Sequence, residues 1–229
     1  MKKILWVAFL TLLILSCSMT KNIVLQIDSI GKAQYEAALS YIFMPTDKDV
    51  NSGDLRFMEY AAYIEKALAW KGYRKASNAD EANIIIYVTY GVGEPKEHSY
   101  AYSVPLYGII KPPKPSSPPL GSPPGSPPGN PPFGSYNPVY GIIGSTTKYD
   151  SYTTYFRYCK IEAFDLKLLR EGGAEKQLWS TIITSTGRSD DLRQVMPYMI
   201  AGARDYIATD TGKKVEISVP EDGKTLEKL

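Results

Sequence analysis

A chain of 229 residues with 44% apolar composition can bury one substantial core and hardly two. Of its 26 basic residues, Lys2 and Lys3 lie in a segment expected to be removed, which leaves 24 against 24 acidic residues and no net pull toward nucleic acid or anionic lipid. Two cysteines, Cys17 and Cys159, are too few for a disulfide scaffold, and the single His98 excludes a multi-histidine metal site or a pair of catalytic imidazoles.

The first element is a leader. Lys2 and Lys3 precede an apolar run from Ile4 to Leu15, which is too short to cross a bilayer core but suits the hydrophobic region of a secretory signal. The run ends in Ile14-Leu15-Ser16-Cys17, which resembles the lipobox of bacterial lipoproteins. Ile14 and Leu15 depart from the usual Leu and small residue at those places. The resemblance implies cleavage between Ser16 and Cys17 and a diacylglycerol on the Cys17 thiol. Ser18 after the cysteine, by the same resemblance, implies the periplasmic face of the outer membrane in a Gram-negative cell. Residues 18–21 would reach roughly 14 Å from lipid to fold.

The mature chain then reads as a two-layer α+β sandwich, with a mixed, mostly antiparallel sheet carrying two main helices on one face. Asn22 to Ile27 and Ser40 to Met44 are strand-like, the second stopped by Pro45. Asp54 is placed to cap a helix in which Phe57, Ala61, Ile64 and Leu68 share a face, and Gly72 to end it. Asn83 to Tyr90 is apolar on both faces and predicts a central strand. Thr153 to Asp165 and Leu178 to Ser185 predict a hairpin across the Gly172-Gly173 loop. Asp190 to Ala208 carries a helical stripe in which Pro197 predicts a kink or restart, with the main helix after it. Lys214 to Val219 predicts an edge or closing strand, and residues 221–229 a mobile tail.

One domain over residues 22–220 is therefore expected, interrupted at 91–150 by a Pro-, Gly- and Tyr-rich insertion; 13 of the 17 prolines fall between Pro105 and Pro138. Its glycines Gly121, Gly125 and Gly129 fall four apart, which excludes collagen and interrupts polyproline II. A P-x-Y-G-I-I hexad occurs on either side of the proline run. Tyr107, Ile109 and Ile110 belong to the first copy, and Tyr140, Ile142 and Ile143 to the second. Either the copies pair with each other or with the domain, or they form an adhesive patch for a partner. These six are the candidate binding residues.

The pattern outside the insertion also resembles a family of Gram-negative lipoproteins known only as the domain of unknown function numbered 4136. Leu68-Ala69-Trp70-Lys71-Gly72-Tyr73 and Ala79 to Ile86 carry the likeness in the first half; Phe164-Asp165, Leu178-Trp179 and Met196-Pro197 carry it in the second. It implies an envelope location and a mixed sheet, and no activity.

No catalytic set assembles from the sequence. His98 is read as exposed at the insertion boundary, Cys159 as a buried inert thiol, and the Asp80-Glu81 and Asp190-Asp191 pairs as capping groups. No metal, cofactor or nucleic acid is expected. The reading is a lipid-anchored, non-catalytic envelope protein that binds another envelope protein or a cell-wall component. The alternative is a carrier holding an apolar ligand between sheet and helices.

Overall fold

The computed structural model describes residues 21–31, 39–47, 49–110 and 139–229. Ser16, Cys17 and the proline run from Pro112 to Pro132 lie outside them. The chain divides into two compact units, Met1–Lys96 with Thr153–Leu229, and Glu97–Tyr152.

The first unit is a sheet covered by helices. Strand β1 (Asn22–Gly31) alternates Ile23, Leu25, Ile27 and Ser29 inward. Strand β2 (Ser40–Pro45) is followed by helix α1 (Leu55–Trp70), the two-residue strand β3 (Arg74–Lys75) and strand β4 (Ile84–Val92). Asp54 caps α1 by accepting hydrogen bonds from the amides of Arg56 and Phe57, both 2.9 Å long. At the other end Gly72, with φ of 87°, lets Tyr73 and Gly72 donate back to the carbonyls of Leu68 and Ala69.

Strand β6 (Val139–Asp165) re-enters the unit at Thr153 and leads through helix α2 (Leu166–Arg170) into strand β7 (Gln177–Gly187). Helix α3 (Leu192–Ala203), strand β8 (Val215–Pro220) and helix α4 (Gly223–Leu226) complete it.

Across the sheet the order is β3-β2-β4-β6-β7-β1-β8. Strand β2 runs parallel to β3 and β4, with α1 in the crossover that a parallel pair requires. The other pairings within this unit are antiparallel. Strand β1 lies between β7 and β8, so the N-terminal strand is held by two strands from the far end of the chain.

Helices α1 and α3 touch each other and cover one face, as the apolar periodicity predicts. Ile64 and Leu68 of α1 and Met196, Met199 and Ile200 of α3 meet Leu25, Ile27, Ile86, Ile161 and Ile183 of the sheet. Each is essentially inaccessible to solvent. Burying a side chain of this size stabilises the fold by about 1.5–3 kcal/mol. On the opposite face α2 covers only a small cluster, in which Leu166 packs with Ile85 and Ala82. That cluster is why β4 is apolar on both sides.

Several sequence expectations need correction. Helix α3 runs unbroken from Leu192 through Pro197, with neither a restart nor a main helix beyond it. The proline forfeits one hydrogen bond, a cost of about 3 kcal/mol, but four large apolar side chains of the helix are buried on the turns around it. The stripe ends at Ala203, and Ile207 stays buried in a turn that closes at Ala208, with φ of 58°. Nor is the tail from Glu221 unstructured: Asp222 caps α4, Thr225 is buried and Leu229 packs on the core.

A polar cluster seals the return from α3. The Ser29 hydroxyl lies 2.7 Å from that of Thr181 and donates to the Thr209 carbonyl at 2.8 Å, while Thr181 accepts from the Ala208 amide. At the opposite end of the strands Leu25, Ser185, Arg157 and Val92 form one row across β1, β7, β6 and β4. Within four residues beyond that row lie Lys21, where the described chain begins, and Lys96 and Thr153, where the second unit joins.

Close packing of α3 on the sheet predicts a sharp contrast between two glycines. A Cβ on Gly202 would come within 2.5 Å of Val219 and 2.8 Å of Leu25, whereas one on Gly223 meets nothing within 4 Å. Gly202→Val is expected to lower unfolding free energy by roughly 1–3 kcal/mol and Gly223→Ala to leave it unchanged or slightly raised, measured by urea denaturation.

Candidate functional site

The second unit is a ribbon. Strand β5 (Lys96–Ile110) pairs with the 139–152 stretch of β6. Most of the expected insertion at both its ends is thus extended strand, and β-branched and tyrosine residues suit that conformation. The two hexads lie against each other: a Cβ on Gly108 would collide with the Ile143 side chain, and one on Gly141 with that of Ile110. Of the alternatives the sequence left open, the copies pair. Glycine at both places leaves room for the opposing isoleucine, which would have to swing aside for a larger residue.

Pairing does not bury them. Leu106, Tyr107, Ile109, Ile110, Val139, Tyr140, Ile142 and Ile143 remain 44–71% exposed. All six candidate binding residues therefore lie on one ribbon, Tyr107, Ile109, Tyr140 and Ile142 on one face and Ile110 and Ile143 on the other, with Leu106 and Val139 beside the second pair as neighbours that the sequence reading passed over. Toward the root of the ribbon, Tyr100 donates to the Asp150 carboxylate at 3.3 Å, and His98 stacks on Tyr152 with ring centres 5.0 Å apart. His98 thus sits in a strand, half-buried, and not in an exposed loop. No charged residue occurs from Ser99 to Ile110 or from Val139 to Thr147.

In the first unit a polar cleft of about 550 Å³ lies at the N-terminal end of α1, lined by Asp54, Arg56, Glu59, Tyr90 and Arg193. The Arg193 guanidinium bridges to Glu59 at 2.9 Å. Tyr60, at the edge of an adjoining hollow, has its hydroxyl pushed up to about 12 by burial. Glu59 and Arg193 stand far apart in sequence and carry no motif, so no local signal could have joined them. Another groove, of about 490 Å³, runs between β2 and α1 past Phe43, Phe57, Met58 and Ala61.

The space between sheet and helices, where a carried apolar ligand would lie, is filled. Leu25, Ile27, Ile64, Leu68, Ile86 and Met199 expose essentially no surface to it, and a void able to hold a ligand would leave its lining accessible. Cys159 is fully buried in this layer and its thiol is pushed up to about 12 by burial. Arg157 is buried beside it in the strand, donating to the Ser185 hydroxyl at 3.0 Å, and burial lowers its pKa. Among the described residues no group of three or more His, Cys, Asp or Glu side chains could hold a metal ion, and no helix is long and apolar enough to cross a membrane.

No protein-family model matches the sequence, and no curated protein matches it. Among solved structures, a PDZ domain protein from Parabacteroides distasonis is similar at a TM-score of 0.40 and 12% identity. The match covers 92% of this chain and 42% of that one, so this chain spans less than half the length of that protein.

Burial of Cys159 has a measurable sign. Its thiol ionises near 9 in the unfolded chain and near 12 in the fold, so folding stability is intact below pH 9 and falls as pH rises from there. Cys159→Ala should flatten that alkaline decline in denaturation midpoints. In the Cys17→Ser protein, a thiol reagent at pH 8 should find no reactive group until denaturant is added.

Proposed function

We propose that this chain is a lipid-anchored protein of the bacterial cell envelope that works by binding, through the apolar ribbon, with no catalytic step of its own. The observation that carries the reading is the ribbon's exposed surface. Eight large aliphatic and aromatic side chains stand exposed on the ribbon, four to a face because alternate strand residues point to opposite sides: Tyr107, Ile109, Tyr140 and Ile142 on one, Leu106, Ile110, Val139 and Ile143 on the other. Each face presents on the order of a few hundred Å², the scale at which a monomer's largest apolar patch is often functional. Tyrosines such as Tyr107 and Tyr140 are among the residue types enriched at the few positions that carry most of the energy of protein interfaces. The candidate partner is another envelope protein or a cell-wall component. A non-catalytic role is supported by the sealed Cys159 thiol.

Anchoring rests on the Cys17 lipobox, on the brevity of the tether and on the resemblance to the lipoprotein family numbered 4136. A thioether-linked diacylglycerol plus a further acyl chain would hold the protein on the membrane, because one chain alone binds only marginally.

Two measurements test the reading. Cys17→Ser should move the protein from the membrane to the soluble fraction and abolish metabolic labelling with fatty acid. Tyr107→Ser combined with Tyr140→Ser in the full chain should reduce co-purifying envelope components by about tenfold or more while leaving the circular dichroism of the fold unchanged. An unaltered set of co-purifying components would remove the ribbon from the binding role.

A further inference from the structure

We infer that the ribbon's partner is a second copy of this chain, joined by pairing the free edge of β5 in one copy with the free edge of β6 in the next. The inference rests on the ribbon being the binding element and names what it binds.

The edges are the first observation. Strand β6 is flanked by β4 and β7 only from Tyr155 onward, and over 139–152 its one partner among the described residues is β5. Among the described residues strand β5 in turn pairs only with β6. The distal stretches 106–110 and 139–143 therefore each have an outer edge with no strand partner among the described residues. Exposed edges in monomeric proteins are blunted by charges, prolines or bulges. Here the distal halves of both strands have no charge, and Pro105 is the one proline in the described ribbon.

Self-complementarity is the second observation. The sequence Tyr-Gly-Ile-Ile stands on both outer edges, at 107–110 in β5 and at 140–143 in β6. Inside one ribbon these two segments already pair, with each glycine accommodating the other strand's isoleucine. The same side-chain order is thus offered again on the outside, β5 to β6, and a neighbouring copy can repeat the pairing. Such a contact uses different surfaces on the two molecules, so it builds rings or longer assemblies rather than stopping at two.

The marginal stability of a bare ribbon is the third. An isolated two-stranded ribbon is marginal in water, and added strands supply the packing it lacks. A bilayer is the weaker occupant: a single ribbon entering hydrocarbon would carry its unpaired edges with it, at a cost of several kcal/mol for each unsatisfied group.

The test uses the mature, lipidated chain extracted in non-ionic detergent, with its mass read by sedimentation velocity at micromolar concentration. Assemblies of three or more copies are expected. Ile109→Lys with Ile142→Lys, which puts one charge on each strand, should weaken association by about tenfold or more. Because lysines could unfold the ribbon itself, Ile109→Thr with Ile142→Thr, which keeps β-propensity, should weaken it in the same direction to a smaller extent. A wild-type protein that stays monomeric overturns the inference. If that monomer still loses co-purifying components in the Tyr107→Ser and Tyr140→Ser protein, the binding role stands and only the identity of the partner falls. A monomer whose ribbon tyrosines change fluorescence on entering the micelle assigns the surface to lipid, and also overturns it.

Discussion

Covering one sheet face with two helices is the condition on which the rest of the molecule depends. Helix α1 comes from the first half of the chain and α3 from the second, and the strands beneath them alternate in origin. Strand β1 can bury Leu25 and Ile27 only when β7 and β8 flank it, and those strands arrive after more than half the chain has passed. Neither half therefore has a core of its own. This explains how so long an insertion is tolerated, since closing a longer loop costs only slowly increasing entropy while the contacts at its base remain the same. The paired burial of Met199, Ile64 and Ile161 is the energetic link between the two ends.

Much of this layer was legible in the residues. Alternation in β1, two-sided apolarity in β4, and the four-three-four spacing along α1 all specify which side chains turn inward, because strand and helix periods leave little choice. Asp54 and Gly72 marked the ends of α1 for the same local reason. What local reasoning missed was decided by tertiary contact. Pro197 reads as a helix breaker until the burial of Met196 and Met199 around it is set against one lost hydrogen bond. The charged tail reads as solvated until Thr225 and Leu229 find the core. The two residues of β3 are too few to leave a pattern.

The ribbon was half legible. The doubled hexad pointed to the six apolar residues that the ribbon carries, yet whether its copies paired with each other, packed on the domain or stood free was open. Extended strands with no covering layer lack the inward-outward alternation by which strands are recognised. The polar cleft at Glu59 and Arg193 had no sequence signal, since its members meet only when α1 and α3 are laid side by side.

The row through Leu25, Ser185, Arg157 and Val92 bears on mechanics. Lys21 and the two crossings into the ribbon leave the first unit from the same end of the sheet. Were the proposed lipid on Cys17 and a partner on the ribbon to pull against each other, the load would enter the first unit at that rim. Load would peel the ends of β1, β6 and β4 one residue pair at a time, opposed at the rim by the buried Arg157 guanidinium and the Lys21–Glu221 bridge. Helices α1 and α3 would feel little of it, so a pulled molecule would yield at its rim while its interior stayed folded.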